Sequence, residues 1–154
     1  MAVIASGATC DPWRARQSGS VTTPRPARFP FALDIPGTVL RTFGVAGPED
    51  AVVELDDRLL SVRFGFWLLR TPTANLVGAE ISGPYSALKG LGVRLSLADR
   101  GVTFGSSTRR GVCLRFRRPV PAIEPLGLIL HPGATVTVAD AEGLADAVRR
   151  AVAR

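Results

Sequence analysis

The sequence has few of the residues on which most enzyme sites depend. It contains one histidine, two cysteines and one lysine, and the remaining 18 of its 19 basic residues are arginines. One histidine and two distant cysteines cannot supply the four ligands of a structural zinc site, and a catalytic triad needs a histidine with partners. The phosphate-binding motif G-x-x-x-x-G-K-[ST] is also absent. We therefore expect a non-enzymatic protein that binds no cofactor and no metal.

The residues most often used in catalysis are expected to be structural. His131 precedes Pro132 in a predicted loop, which indicates a surface histidine without partners. Cys113 lies in a predicted strand two residues from Arg115, but nothing in the sequence places His131 beside it as a base, so we expect a buried or half-buried thiol.

Long hydrophobic runs are missing as well. No segment approaches the roughly 20 apolar residues of a membrane-spanning helix, and the N-terminus lacks the pattern of a signal peptide. Cys10 and Cys113 do not form the dense framework of a small secreted protein. These features predict a soluble, cytoplasmic protein with reduced thiols.

The composition is that of a folded domain with a basic bias. Hydrophobic residues make up 46% of the 154 residues and charged residues 21%, which is typical of one ordinary domain. The net charge is +6, and residues 1–33 and 34–154 each carry half of it. The arginine excess fits a GC-rich bacterial genome, or else a partner that carries phosphates or carboxylates. We favour the compositional explanation.

The N-terminal segment is predicted to be an extended arm. Residues 18–36 are rich in Ser, Thr, Gly and Pro, which disfavours helices and central strands. Within it Phe29, Phe31, Leu33 and Ile35 alternate, and this pattern indicates that the segment packs on the body. The predicted organisation is therefore a basic, Pro-rich and partly docked arm over 1–36, followed by a single domain over 37–154.

Short strands dominate the rest of the chain, because apolar residues alternate between turn signals. The predicted strands are 38–43, 51–55, 60–64, 66–70, 76–82, 93–97, 102–104, 112–117 and 135–138. We expect 51–64 to form a hairpin and the three strands from 93 to 117 to form an antiparallel meander, while 85–92 is left unassigned. An amphipathic helix is predicted over 140–152, with Asp140 as its N-cap.

Two stretches carry a resemblance to a known fold. They are the hairpin over 52–63 and the strand over 134–140, which runs into Leu144 and Val148. With the element order of 37–152, they resemble pleckstrin-homology-like (PH-like) domains and are similar to small actinobacterial proteins of unknown function. The resemblance implies a mainly β (α+β) fold, an antiparallel barrel of about seven strands capped by one C-terminal helix. It also implies a scaffold that binds peptides or lipids.

The acidic residues argue against one ligand of that family. Members that bind phosphoinositides carry basic residues on the first strand and the loop after it, whereas residues 49–57 of this chain hold five acids and no base. Inositol phosphate binding at that position is therefore disfavoured.

Arginines gather instead between residues 100 and 118, where no acid interrupts them. Arg109, Arg110, Arg115 and Arg117 are predicted to form a patch that binds phosphate or anionic lipid head groups, or else an ordinary solvated sheet face, which we favour. No aromatic residues interleave with them, so nucleic acid is disfavoured as a partner.

The two aromatic residues Phe66 and Trp67 are the candidate interface. Because they are consecutive in a predicted strand, they face opposite sides, so one is expected to be buried and the other exposed at a possible interface, unless the C-terminal helix or residues 29–35 cover it. Cover by one of these segments is the simpler explanation. The leading hypothesis is a non-catalytic scaffold or interaction domain that mediates protein–protein association or self-association through an exposed strand edge. The alternative is peripheral binding of anionic membranes or phosphate groups through the arginine patch.

Overall fold

A computed structural model describes residues 25–84, 91–95, 100–122 and 128–154 of the chain. Over these residues the protein is mainly β and ends in one helix, as the sequence predicts. The strands are β1 Ala27–Pro30, β2 Ala51–Leu55, β3 Leu59–Phe64, β4 Trp67–Pro72, β5 Leu76–Ser82, β6 Leu91–Leu95, β7 Val102–Ser106, β8 Gly111–Pro121 and β9 Leu130–Val136. The helices are α1 Gly37–Thr42 and α2 Ala141–Val152, with 3₁₀ turns at Pro48–Asp50 and Thr73–Asn75.

The first sheet has the order β1-β2-β3-β4, and all of its pairs are antiparallel. The predicted hairpin of β2 and β3 is present. Its turn is held by Asp56, whose carboxylate accepts hydrogen bonds from the backbone N–H groups of Arg58 and Leu59, each at 2.7 Å. Such side-chain bonds replace backbone partners in tight turns, which explains why an aspartate stands at this position.

The second sheet has the order β5-β8-β9-β7-β6, which corrects the predicted meander. β6 and β7 do form an antiparallel hairpin, but β7 pairs with β9 in parallel and does not pair with β8. Val136 of β9 lies between Phe104 of β7 and Val112 of β8. The purely antiparallel arrangement is therefore wrong, because alternation shows which face a residue occupies but not which strand lies beside it.

A short helix replaces the strand predicted over 38–43. In α1 the carbonyl of Pro36 accepts the N–H groups of Val39 and Leu40, at 2.9 and 3.1 Å. Leu40 is the buried residue of this helix. A strand here would bury every second side chain, whereas one buried residue in six is compatible with a single helical turn.

The two sheets share one core in which aromatic rings make the central contacts. Phe64 of β3 lies 5.1 Å from Phe31 and 6.3 Å from Phe104 of β7, measured between ring centroids. Phe31 also forms an antiparallel bridge with Val138, just after β9. The residues immediately before Gly37 thus belong to the folded body, while the arm residues 1–24, with Cys10, lie outside the described residues. Within the described ranges the two sheets do not close into a barrel.

Helix α2 begins at the predicted cap and covers the core with its apolar face. The Asp140 carboxylate accepts the backbone N–H of Gly143 at 2.8 Å. Leu144, Ala145 and Val148 are buried, and the helix packs along β5. Neither described helix combines the length and the apolar character that crossing a membrane requires.

Candidate functional site

The four arginines of the predicted patch are distributed over separate parts of the surface. Arg109 and Arg110 lie in the loop between β7 and β8. The Arg109 guanidinium is 3.6 Å from the Asp34 carboxylate, and Arg110 donates a hydrogen bond to Glu142 in the first turn of α2 at 2.5 Å. Exposed ion pairs of this kind add little stability, but each one places a negative charge beside the arginine.

The other two arginines point from the outer face of β8. Arg115 donates a hydrogen bond to Glu80 of the neighbouring strand β5 at 3.1 Å. Arg117, two residues further on, has no ion-pair partner among the described residues and borders two cavities. Three of the four predicted residues are therefore paired with an acid, and Arg117 belongs to a different site.

That site is an open groove between the end of β4 and the middle of β8, which we call the β4–β8 groove. It has a volume of about 470 Å³. Its charged lining residues are Arg70, Arg117 and Arg118, and its other walls include Pro72 and Pro119. None of the lining residues is acidic. The groove thus brings three cations together beside apolar surface.

Asn75 fixes the position of one side of the groove. Its amide NH₂ donates to the carbonyl of Arg118 and to the hydroxyl of Thr71, each at 2.9 Å, and its carbonyl oxygen accepts the N–H of Arg118 at 2.8 Å. β8 has lost its pairing with β5 at this point, because the ladder ends at Leu76 and Phe116. The Asn75 side chain therefore bonds to the backbone of Arg118 on the side of β8 where β5 no longer pairs.

A second cavity of about 420 Å³ lies beside the groove and shares Arg117 with it. Its lining includes Asp57, which forms an ion pair with Arg154 near the end of α2. Because a carboxylate is present and already paired with an arginine, this cavity does not share the uniform positive charge of the β4–β8 groove.

The predicted aromatic pair lies at the opposite end of β4. Gly65 and Phe66 form the two-residue turn between β3 and β4, so Phe66 precedes the strand instead of beginning it. Gly65 has φ of +56°, the sign that tight hairpin turns require at their first central residue. Phe66 is 77% exposed, whereas Trp67 is half-buried and its ring centroid lies 5.8 Å from that of Phe43. Phe66 is therefore the exposed member of the pair.

Strand β4 is an edge of the first sheet, and β3 is its sheet neighbour. In a hairpin with a two-residue turn, the residues that flank the turn exchange hydrogen bonds, and this state then alternates along the ladder. Trp67, Leu69 and Thr71 therefore bond to β3. The backbone groups of Leu68 and Arg70 point away from β3. Pro72 is the next outward position, and as a proline it has no backbone N–H.

The other sheet edges have some contacts of their own or adjoin segments outside the described ranges. The carbonyl of Pro30 at the end of β1 accepts the N–H of Ala139 at 2.9 Å. Helix α2 packs along β5, and residues outside the described ranges flank β6 on both sides. In the described part of the chain, no strand pairs with the outer edge of β4.

The residues most often used in catalysis lie at different positions of the β8–β9 pair, His131 opposite Val120 and Cys113 opposite Thr135. The prediction of a surface His131 is wrong, because His131 is a core-facing residue of β9 and is fully buried. Its Nδ1–H donates to the carbonyl of Arg100 at 2.9 Å, and its Nε2 has no partner among the described residues. Cys113 is a free, half-buried thiol, and Ser107 donates to Asp34 at 2.6 Å. No group of metal-ligating side chains occurs within the described ranges.

The groove contains two residues that the sequence analysis did not select, Arg70 and Arg118. Both stand at exposed positions of strands, but Arg70 is far from Arg117 in the sequence and only the packing of β4 near β8 brings them together. Comparisons of the chain with protein-family models, with curated proteins and with solved structures found no match.

Proposed function

We propose that this chain is a non-catalytic protein-interaction domain that binds an extended segment of a partner protein at the free edge of β4. The observation that carries the proposal is the open edge itself. An added strand gains main-chain hydrogen bonds to the outward backbone groups of Leu68 and Arg70. Natural sheets normally cover or shorten such edges, so the unpaired backbone groups of Leu68 and Arg70 beside a groove favour binding.

The side chains around the edge support the same function. Leu68 is 40% exposed on the outer face of the sheet, and the exposed Phe66 stands in the turn just before β4, with its ring centroid 6.2 Å from that of Trp67. Aromatic residues and arginine are enriched at the centres of protein interfaces, which fits Phe66 and Arg70 at the two ends of this edge. The apolar end at Phe66 and the cationic end at Arg70 give the edge a direction, as a specific binding site requires.

A partner protein is better supported than a second copy of the chain. A symmetric dimer through β4 would bring Arg70, Arg117 and Arg118 of both copies into one interface, where the groove supplies no carboxylate. Like charges placed across an interface oppose association. The anionic-membrane alternative is less well supported, because Arg109, Arg110 and Arg115 are each paired with an acid.

The PH-like assignment is retained as part of this proposal. Two sheets followed by a single helix that packs on the second sheet support it. The parallel pair of β7 and β9 is a departure from an antiparallel barrel. The proposed function rests on the β4 edge and not on the assignment.

A selection of random peptides displayed on phage tests the proposal. The immobilised targets are the wild-type chain, Leu68→Pro and Leu68→Thr. Proline at 68 removes an outward N–H that bonds to no described residue, whereas threonine keeps that N–H and removes the leucine side chain. Peptides enriched on the wild type and on Leu68→Thr, but lost on Leu68→Pro, support the proposal. Failure to enrich any peptide, or equal recovery on Leu68→Pro, contradicts it, provided that circular dichroism shows both variants folded.

A further inference from the structure

The arginines around the β4 edge are not balanced by acidic residues, and this excess of positive charge indicates which kind of partner the edge binds. Every acidic side chain in the described part of the chain already has a hydrogen-bond or ion-pair partner within the protein. These are Asp34, Glu49, Asp50, Glu54, Asp56, Asp57, Glu80, Asp140, Glu142 and Asp146. Glu49, for example, raises the pKa of Arg28 above its ordinary value, first through its hydrogen bond and then through its charge.

The three arginines of the β4–β8 groove stand outside this pairing. Arg70, Arg117 and Arg118 are exposed, and none has an ion-pair partner in the described ranges. The groove that they line contains no carboxylate. Cations that line one groove repel one another, and an external anion that bonds to their guanidinium groups offsets this repulsion.

Resting on the proposed function, we infer that the segment bound by the β4 edge is acidic, with carboxylates that bind Arg70, Arg117 and Arg118. The arginines lie at the end of β4 where an added strand would pass into the groove. A peptide strand brings carboxylates at fixed intervals of two residues, which suits cations that are distributed along an edge.

The register of the sheet gives the expected pattern of that segment. On the outer face of the sheet, Glu54, Ser61 and Arg70 lie side by side across β2, β3 and β4. The side chain of the added strand that lies beside Arg70 in this row is therefore expected to be an acid. The neighbouring row ends at Leu68, so the side chain opposite it is apolar. A second acid, two residues beyond the first and opposite Pro72, would reach Arg117 and Arg118. Read in the antiparallel direction, the segment is acid–x–acid–x–apolar.

Fluorescence anisotropy with matched synthetic peptides tests this inference. The probe is a fluorescein-labelled peptide with blocked termini. Threonine fills every second position, and the positions between are glutamate, glutamate and leucine, in that order. In the control peptide, glutamine replaces both glutamates. We expect the glutamate peptide to bind about tenfold more tightly than the glutamine peptide, since charge-assisted bonds exceed neutral ones. The triple variant Arg70→Gln, Arg117→Gln, Arg118→Gln should abolish this preference, whereas Arg150→Gln on α2 should leave it unchanged.

The outcomes separate this inference from the proposed function. Equal binding of both peptides, lost in Leu68→Pro, would overturn the acidic preference and leave the β4 edge as a binding site. Absence of binding by both peptides would also overturn the acidic preference, and the phage selection then decides the proposed function independently. Co-sedimentation is the third arm, with phosphatidylcholine vesicles that contain one-third phosphatidylserine. The wild type could sediment with these vesicles while the triple variant does not, and the glutamate peptide could fail to bind. That combination would assign the groove to a membrane and overturn the inference.

Discussion

The side chain of Asn75 binds the backbone of Arg118 twice, through its carbonyl oxygen at 2.8 Å and its amide NH₂ at 2.9 Å. It substitutes for a neighbouring strand at a position of β8 that lies beyond Phe116, the last residue of β8 that pairs with β5. The consequence is that the stretch from Arg117 to Pro119 keeps a fixed position beside β4, with the groove open between them.

Replacing Asn75 with alanine should therefore destabilise the fold and disturb the groove. The variant loses both bonds to Arg118 and the bond to Thr71. We expect the free energy of unfolding to fall by about 1–3 kcal/mol, because lost hydrogen bonds at a half-buried site are only partly replaced by water. Urea unfolding measures the change, and a midpoint equal to that of the wild type would contradict the role assigned to Asn75.

Phe64 and Phe66, two residues apart, should respond very differently to the same substitution. Phe64 is fully buried between Phe31 and Phe104, whereas Phe66 is 77% exposed. Phe64→Leu should reduce the free energy of unfolding by about 1–2 kcal/mol through loss of packing, and Phe66→Leu should change it by less than about 0.5 kcal/mol. Thermal unfolding of the two variants checks this contrast. Equal losses would mean that the Phe66 ring is covered in solution.

Gly65 and Gly78 form a second matched pair. At Gly65, φ is +56° and a β-carbon would clash with the carbonyl oxygen of Phe43, whereas at Gly78 a β-carbon would have open space around it. Gly65→Ala should cost more than about 2 kcal/mol, and Gly78→Ala should be neutral or stabilising by up to about 1 kcal/mol. Chemical denaturation of both variants measures the difference. A neutral Gly65→Ala would contradict the tight turn between β3 and β4.

The charge of the groove predicts that β4 does not mediate self-association. Size-exclusion chromatography with light scattering should therefore give the same mass for the wild type and for Leu68→Pro, at low and at moderate salt, where the monomer mass is 16.3 kDa. A dimer that Leu68→Pro converts to monomer would contradict this prediction. A dimer that persists in Leu68→Pro would place self-association on another surface.

Local signals in the sequence predicted part of this structure well. The hairpin at Asp56 and the helix that begins at Asp140 were predictable, because turn and cap chemistry are set by residues that are close in sequence. The parallel pairing of β7 with β9 was not predictable, since alternation carries no information about neighbouring strands. The burial of His131 was missed for a related reason, because Pro132 suggested a loop where the structure continues β9.

The candidate site was predicted only in part. Phe66 was selected together with Trp67 as a candidate interface, without showing which of the two is exposed, and Arg117 was selected as one of four patch arginines. The sequence could not show that Arg109, Arg110 and Arg115 each meet an acid from a distant segment. It also could not show that Arg70 joins Arg117, because that proximity depends on how β4 packs near β8.

Amide hydrogen exchange along β4, followed by NMR in the free protein, tests the central claim most directly. If the edge is open, Leu68 and Arg70 exchange rapidly while Leu69 and Thr71, which bond to β3, are protected by at least about a hundredfold. Adding a peptide from the phage selection should then slow exchange at Leu68 and Arg70. Equal protection of all four amides in the free protein would show that the edge is already covered, and would contradict the account.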